Sequence, residues 1–190
     1  KERGTIVSNE SAEIIRMLAG AFDHLGAREG DYYPIELRDE IDGWNGRIYE
    51  TVNNGVYRAG FATTQDAYEE AVTALFATLD TLEAHLRGRT YLVGERLTEA
   101  DIRLFTTLVR FDPVYVGHFK CNVRRIADYP HLAAYLRRLW ADPAFRSTTD
   151  FDHIKRHYYV SHTGINPTGV VPLGPDLAPL LGAAQPGNRK

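Results

Sequence analysis

The chain has 190 residues, of which 44% are hydrophobic and 25% are charged, and its formal net charge is −3. This composition predicts a soluble globular protein, and because basic and acidic residues are interspersed it excludes a charge pattern suited to nucleic acid or an anionic membrane. A single cysteine excludes an intrachain disulfide, and no membrane span or signal peptide is recognisable, so a reducing cytoplasm is the expected location.

The stretch VSNESAEIIRML near the N-terminus predicts a helix. Ile14, Ile15 and Leu18 share one face at helical spacing, and Ser8 or Asn9 is the expected N-cap.

Glu10 and Ser11 lie at the start of this helix, where unpaired backbone N–H groups attract a carboxylate. Ser11 can donate a further hydrogen bond and Glu10 can accept one from an ammonium group, so the pair can hold a ligand end that bears both charges. The simpler interpretation is that both residues cap the helix and complement its dipole, because acidic residues and serine are common in first turns.

Six further helices are predicted from apolar residues that recur at helical spacing. The first opens at Pro34 and ends near Asn53-Asn54-Gly55, and the second follows Thr64 and runs to Gly88. The third follows Thr98 and the fourth precedes Tyr129. The fifth runs from about His131 to Trp140, and the sixth covers roughly Asp150 to Tyr159. The strand candidates are two short segments, Thr5–Ser8 and Tyr91–Val93. Frequent Pro and Gly from Thr163 onward predict an irregular tail.

The third of these helices has an explicit start in GERLTEADIRLF. Thr98 is the predicted N-cap and Asp101 sits at N3, which is a capping box, while Leu97 can pack onto Ile102 as a hydrophobic staple. Asp101 therefore has a structural reason for its position, and we assign it no catalytic role.

Two stretches resemble the helical C-terminal domain of cytosolic glutathione transferases, YLVGERLTEADIRLF and DYPHLAAYLRRLWADPAF. Four more blocks resemble the glutathionyl-hydroquinone reductases, the Xi class of these enzymes, and occur in that family's order. They are TIVSNESAEIIRML, NNGVYRAGFA, VRFDPVYVGHFKCN and FDHIKRHYYVSHTGINPTGVVPLGP. The resemblance covers nearly the whole chain.

The resemblance implies an all-α fold, with a glutathione-transferase C-terminal helical domain over residues 34–162 and an irregular tail over 163–190. Residues 1–20 would be a β–α remnant of a thioredoxin-like domain. In the family that domain supplies a nucleophilic cysteine and most of the glutathione site. The chain is therefore expected to be a fragment or the product of a truncated gene, and to be inactive alone.

The activity that the resemblance implies is glutathione-dependent reduction of glutathionyl-hydroquinones to hydroquinones. A cysteine thiolate attacks the sulfur of the conjugate and releases the hydroquinone, and a second glutathione resolves the mixed disulfide. Glutathione is thus a co-substrate, no bound cofactor is expected, and the full-length parent is expected to be a homodimer.

The same resemblance implies roles for five residues. Glu10 and Ser11 hold the γ-glutamyl end of glutathione, and Tyr57 is the proton donor and acceptor at the ring carbon. Tyr115 and Tyr158 lower the pKa of the catalytic thiol and help hold the quinol; Tyr159 is the weaker choice within its pair. On the sequence alone, each tyrosine is better explained as a packed aromatic with a satisfied hydroxyl, and only the three motifs together favour the functional roles.

Three other interpretations follow from the residues. Cys121 is a candidate nucleophile because Lys120 and Arg124 are near in sequence, but a lone cysteine at such a position is more typical of packing. His153 and His157, at i and i+4, could form a zinc site with His162, although the helix lacks the glutamate of an H-E-x-x-H motif, and no metal is expected. The alternative to an enzyme is a non-enzymatic helical interaction module derived from a glutathione transferase.

Overall fold

The structure is a computed structural model that describes residues 4–26 and 30–182, and every regular element in those ranges is helical. The α-helices are α1 (Ser11–Gly20), α2 (Arg38–Ile48), α3 (Gly55–Gly60), α4 (Gln65–His85), α5 (Glu99–Arg110), α6 (Val116–His118), α7 (Pro130–Ala141), α8 (Pro143–Ser147), α9 (Phe151–Ser161) and α10 (Ala178–Leu181). Two π-helical segments, Tyr49–Asn53 and Phe111–Tyr115, connect neighbouring α-helices. Short 3-10 turns cover Asp23–Leu25, Ile35–Leu37 and Ile126–Asp128. Within the described ranges, no helix combines the length and apolar content needed to cross a membrane.

The core forms around α4, which packs against α3 and α7, while α5 packs against α2 and α7. The apolar residues whose helical spacing predicts α2 and α4 form the buried faces of these helices. Their buried members are Ile41, Ile48, Val52, Ala71, Val72, Leu75, Phe76, Leu79, Leu82 and Leu86. Full burial of a large apolar side chain stabilises the fold by about 1.5–3 kcal/mol, so these two faces account for much of the driving force.

The predicted capping box at the start of α5 is confirmed. One oxygen of Asp101 accepts hydrogen bonds from the Thr98 backbone N–H at 2.8 Å and from the Thr98 hydroxyl at 3.0 Å. The other oxygen accepts from the Leu92 backbone N–H at 2.8 Å and from the Tyr135 hydroxyl at 2.7 Å. The carboxylate therefore joins α5, the preceding loop and α7 at one fully buried point.

The two predicted strands are wrong. Residues 5–8 and 91–93 form bends and irregular backbone, and the described ranges contain no strand. A strand is held by hydrogen bonds to a neighbouring strand, so short β-favouring segments stay irregular where no partner is adjacent. The β part of the predicted β–α remnant is thus not observed, whereas the helix predicted in this stretch is present as α1. Residues 1–3 of the predicted remnant lie outside the described residues.

The predicted helix end at Asn53-Asn54-Gly55 is also wrong. The chain passes through the π-helical segment Tyr49–Asn53 directly into α3, which begins at Gly55. A Cβ added to Gly55 would lie 3.7 Å from the Leu75 side chain, which is an ordinary contact distance. Gly55 is therefore a buried residue of a helix that packs against α4, and it does not form a turn.

The helix predicted before Tyr129 is reduced to the 3-10 turn Ile126–Asp128. Arg125, immediately before it, is extended. The carboxylate of Asp112 accepts hydrogen bonds from the Ile126 and Ala127 backbone N–H groups at 2.7 and 3.1 Å. A side chain from a distant segment therefore satisfies the N–H groups of this turn.

The predicted irregular tail contains one regular element among its described residues. The chain is irregular from Gly164 to Asp176, and then α10 packs against α7, burying Leu180 and Leu181. The guanidinium of Arg137 donates to the backbone oxygens of Leu180 and Pro179 at 3.0 and 2.9 Å. Residues 183–190 lie outside the described residues.

Candidate active site

A cleft of about 920 Å³ lies between α1, α3, α5 and α9. Tyr115 and Tyr158 form its deepest part, with only 2% and 4% of their surface exposed, and Tyr57 is 40% exposed. Glu10 and Ser11 line the same cleft from the exposed start of α1. All five residues that the sequence singled out for the site therefore share one cavity.

The three tyrosine hydroxyls form a continuous hydrogen-bonded set. The Tyr57 and Tyr158 oxygens are 2.5 Å apart, and the Tyr115 and Tyr158 oxygens are 2.9 Å apart. Tyr158 is thus the central member, and its hydroxyl can donate to one neighbour while accepting from the other. The set is able to pass a proton or to present a hydroxyl proton towards the cleft.

The two π-helical segments bring two of these side chains to the cleft. Tyr57 lies on α3, one turn after the segment Tyr49–Asn53, and Tyr115 is the last residue of the segment Phe111–Tyr115. Each π-helical turn widens the helix and rotates the residues that follow, and such turns are frequent at functional sites. Tyr158 instead reaches the cleft from a regular α-helix, where it shares the buried face of α9 with Ile154.

Phe119 fixes the rings around the hydroxyls. Its ring stacks on Tyr115 with centroids 5.5 Å apart and lies 5.3 Å from the ring of Tyr57. Gly60 makes this possible, because a Cβ at that position would lie 2.1 Å from the Phe119 ring. The tyrosines therefore sit in a rigid aromatic setting in which their hydroxyls are held in place.

Burial favours the protonated form of the two inner phenols. Burial, together with the hydrogen bond to Tyr57, raises the pKa of Tyr158 to about 12. Burial and the neighbouring charge of Tyr158 raise the pKa of Tyr115 further above its ordinary value. At neutral pH both groups are hydroxyls that can donate hydrogen bonds, which is the form needed to stabilise an anion such as a thiolate.

Helix α1 begins one or two residues later than the sequence indicated, so that Ser11 is its first residue. The N-cap is Glu10 itself rather than Ser8 or Asn9, and the Ser8 hydroxyl accepts from the Glu10 backbone N–H at 3.1 Å. Among the described residues, the Glu10 carboxylate and the Ser11 hydroxyl have no hydrogen-bond partner in the fold. Both groups are therefore available to a ligand in the cleft.

The helix that carries this pair is tied to the helical core by Arg16. Its guanidinium donates to both oxygens of the buried Glu99 at 2.6–3.1 Å and to Asp42 at 2.7 Å, and it stacks 3.6 Å above the ring of Tyr33. Asn45 donates to the same Glu99 carboxylate at 2.8 Å. Because α1 buries none of its residues fully, this ion pair is its main specific attachment.

Cys121 is unsuited to nucleophilic attack. It is fully buried, it does not line the cleft, and its thiol lies 3.8 Å from the Phe119 backbone oxygen. Burial raises the pKa of the Cys121 thiol to about 12, and this outweighs the opposing effect of the Lys120 charge. The thiol is therefore protonated at neutral pH, which favours the packing role expected from the sequence.

The histidines of the alternative zinc site do not converge. His153 is largely exposed with its Nδ1 3.8 Å from Asp150, and His162 pairs instead with His118, whose Nε2 lies 3.1 Å from the His162 Nδ1. In the part of the chain that the structure describes, no group of three or more histidine, cysteine or acidic side chains is arranged to hold a metal ion.

The buried His118 predicts a pH dependence of stability. Burial and the charge of His162 lower the pKa of His118 to about 4, whereas an unfolded histidine has a pKa of about 6.5. The unfolded chain therefore takes up a proton before the folded one does, and stability is full above about pH 6.5 and lost as the pH falls towards about 4. We expect the urea midpoint of His118→Gln to fall less steeply over that range than the midpoint of the unmodified chain.

The exposed His153→Gln variant is the matched control for this measurement, because it removes an imidazole that is largely in solvent. Its midpoint should follow the unmodified chain at every pH. If the urea midpoints of His118→Gln and of the unmodified chain fall in parallel from pH 7.5 to 4.5, the protonation of His118 does not contribute to the loss of stability at acid pH.

Sequence reasoning missed the polar wall of the cleft. Arg103 and Arg110 of α5 line it, and so does His157 of α9, which the sequence suggested only as a zinc ligand. Asn53 also lines it and donates to the Thr107 hydroxyl at 2.6 Å. The spacing of Arg103, Thr107 and Arg110 places them along one side of α5, but a polar helix face is ordinarily exposed to solvent and does not by itself indicate a cleft.

Comparison with known proteins gives consistent matches. Residues 65–138 match the family model described as Glutathione S-transferase, C-terminal domain. The chain is 64% identical over 177 residues to the glutathionyl-hydroquinone reductase PcpF of Sphingobium chlorophenolicum, covering 93% of this chain and 56% of that protein. It is 60% identical over 175 residues to the glutathionyl-hydroquinone reductase YqjG of Escherichia coli K12, covering 92% and 53%. The chain thus spans about half the length of the curated relatives it matches.

Solved structures give the same result. The glutathione-bound structure of YqjG from Escherichia coli K-12 aligns with a TM-score of 0.88 at 60% identity, over 92% of this chain and 57% of that one. The glutathione-S-transferase Xi from Phanerochaete chrysosporium aligns with a TM-score of 0.89 at 59% identity, over 93% and 58%.

Proposed function

Because this chain belongs to the glutathionyl-hydroquinone reductase family, the Xi class of glutathione transferases, we propose that it supplies the helical side of a site that reduces glutathionyl-hydroquinones with glutathione. The observation that carries the proposal is the set of three hydrogen-bonded tyrosine hydroxyls in one cleft with Glu10 and Ser11. Residues 34–162 form the helical domain in this proposal, and α1 contributes one edge of the glutathione site.

Glutathione binds with its γ-glutamyl end at the start of α1. The ammonium group of that end pairs with the Glu10 carboxylate, and its carboxylate accepts from the Ser11 hydroxyl and the first backbone N–H groups of the helix. Support comes from the exposure of both side chains on the cleft and from the glutathione-bound Escherichia coli relative. The ion pair between Arg16 and Glu99 keeps this helix start facing the tyrosines.

Tyr57 acts on the aromatic ring of the conjugate. A thiolate attacks the glutathione sulfur, a new disulfide bond forms, and the carbon–sulfur bond breaks with its electron pair moving to the ring carbon. Tyr57 gives its hydroxyl proton to that carbon, so that the product leaves as a neutral hydroquinone. Its greater exposure among the three tyrosines supports this assignment, because the acid must touch the substrate.

Tyr115 and Tyr158 act as protonated hydroxyls. Donating hydrogen bonds towards a thiolate or a quinol oxygen stabilises the charged form, which lowers the pKa of a nearby thiol. Their raised pKa values support this role, because each hydroxyl keeps its proton throughout the neutral range.

The attacking thiolate is not assigned to this chain's cysteine, since Cys121 is buried and protonated at neutral pH. We therefore expect the 190-residue chain alone to bind glutathione with a Kd weaker than about 1 mM and to release no hydroquinone from a glutathionyl conjugate. In a hybrid where this chain replaces the matched part of the Sphingobium chlorophenolicum reductase, we expect turnover. The measurement is hydroquinone release, followed by chromatography, with glutathione in excess.

Two outcomes would overturn this proposal. Turnover by the chain alone that disappears in Cys121→Ser would assign the nucleophile to Cys121. A folded hybrid that binds the conjugate without releasing hydroquinone would favour the non-enzymatic interaction module.

A further inference from the structure

The cleft wall is electrostatically one-sided. Arg103 and Arg110 of α5 line it, together with His153 and His157 of α9. Among the described residues that line the cleft, the only acidic side chain is Glu10, at the far edge on α1. A neutral hydroquinone ring does not need such a wall, so the arginines call for a separate explanation.

Arg110 lies five residues before the inner tyrosine Tyr115. It is the last residue of α5, it is half-buried, and the π-helical segment that ends in Tyr115 follows it directly. Burial raises the pKa values of Tyr115 and Tyr158, and the positive charge of Arg110 offsets part of that rise. The guanidinium is therefore within electrostatic reach of the hydroxyls at the base of the cleft.

The guanidinium of Arg110 has spare hydrogen-bonding capacity. Its Nη1 donates to the Thr106 backbone oxygen at 2.5 Å, which uses one of five N–H groups. Arg16, Arg58, Arg124, Arg125 and Arg156 each form an ion pair with a carboxylate, whereas within residues 4–26 and 30–182 the two arginines of the cleft wall, Arg103 and Arg110, form none. A partly buried guanidinium without a counter-ion beside a ligand cleft is suited to bind an anion.

We propose that Arg110 is an anion subsite that selects aromatic substrates carrying a carboxylate on the hydroquinone ring. The inference rests on the proposed function for the location of the ring, and adds the charge of the preferred substituent. A carboxylate suits the planar guanidinium because it can accept two parallel N–H bonds. The hydroxyls of the hydroquinone are neutral phenols at neutral pH and provide no such charge.

The test compares two probes of nearly the same shape, 2,5-dihydroxybenzoate and 2,5-dihydroxybenzamide, which differ in the charge of one substituent. Their Kd values for the full chain are measured at pH 7 by NMR titration at fixed ionic strength. We expect the acid to bind about tenfold more tightly than the amide, as one charge-assisted contact provides. Equal affinities would overturn the subsite, while failure of both probes to reach the cleft would count against the proposed function as well.

Variants assign the effect to one side chain. Arg110→Gln should remove the preference for the acid while leaving the affinity for the amide within about twofold, and Arg110→Lys should keep part of the preference. Arg87→Gln is the matched control, since it makes the same change in net charge at an exposed arginine away from the cleft. A preference that survives in Arg110→Gln, or that is lost equally in Arg87→Gln, would overturn the proposal. The proposal would also be overturned if glutathione and the acid compete for binding and Arg110→Gln abolishes this competition, because the guanidinium would then bind glutathione.

Discussion

In the hybrid reductase, replacing Tyr57 by Phe is expected to slow hydroquinone release by about 10²- to 10⁴-fold, the usual contribution of a positioned general acid. The substitution removes the hydroxyl that lies 2.5 Å from the Tyr158 oxygen and keeps the ring, which packs 5.3 Å from Phe119. The fold and the shape of the cleft should therefore persist, and the loss should fall on the step that breaks the carbon–sulfur bond.

The two half-reactions separate this role from a general defect. In single-turnover experiments Tyr57→Phe should slow the release of hydroquinone and leave the resolution of the mixed disulfide by glutathione within about twofold, since the second step protonates no ring carbon. Tyr68→Phe is the matched control, because its hydroxyl donates to the Lys120 backbone oxygen outside the cleft. Equal slowing of both half-reactions, or an unchanged rate of release, would contradict the assignment.

A change in the pH profile distinguishes Tyr57 from its neighbours. If Tyr115 and Tyr158 lower the pKa of the attacking thiol, Tyr158→Phe should move the acidic limb of the rate profile to higher pH. Tyr57→Phe should instead lower the plateau without moving that limb. The distinction follows from where each hydroxyl acts, on the thiolate or on the ring carbon.

The helical core could be predicted from the sequence because burial imposes a repeat. The stripes of α2 and α4 are read directly from apolar spacing, and the start of α5 from Thr98 and Asp101. The two π-helical segments could not be predicted, since no residue type marks the wider turn. A turn was therefore expected where Asn54 and Gly55 continue into α3.

The candidate site was predictable in part, and for a different reason. Tyr57, Tyr115 and Tyr158 were named through the resemblance to the Xi class, while their spacing in the chain, 101 residues between Tyr57 and Tyr158, gives no local signal. Arg110 was missed because a polar helix face has the same pattern whether it meets solvent or a cleft. The ion pair between Arg16 and Glu99 joins residues 83 apart, so it depends on the assembled fold.

The carboxylate of Asp101 is expected to be the most costly single group to change for stability. It is fully buried, and both of its oxygens accept from N–H or O–H groups of Leu92, Thr98 and Tyr135. Asp101→Asn preserves the volume but turns one acceptor into a donor that must face a backbone N–H. We expect a loss of about 3–5 kcal/mol in the free energy of unfolding, as when one partner of a buried network is removed.

Asp128 provides the matched control for this change. It occupies the same N3 position in the capping box at Ile126–Asp128, where its carboxylate accepts from the Arg125 backbone N–H at 3.1 Å. The carboxylate also pairs with the Arg125 guanidinium at 2.6 Å, and this ion pair is exposed to solvent. Because water can replace exposed hydrogen bonds and a surface ion pair contributes little, Asp128→Asn should cost no more than about 1 kcal/mol. Urea unfolding of both variants at pH 7 measures the difference. Equal losses would mean that Asp101 acts only as a helix cap, whereas a several-fold larger loss in Asp101→Asn would show that its carboxylate joins α5, the loop before it and α7.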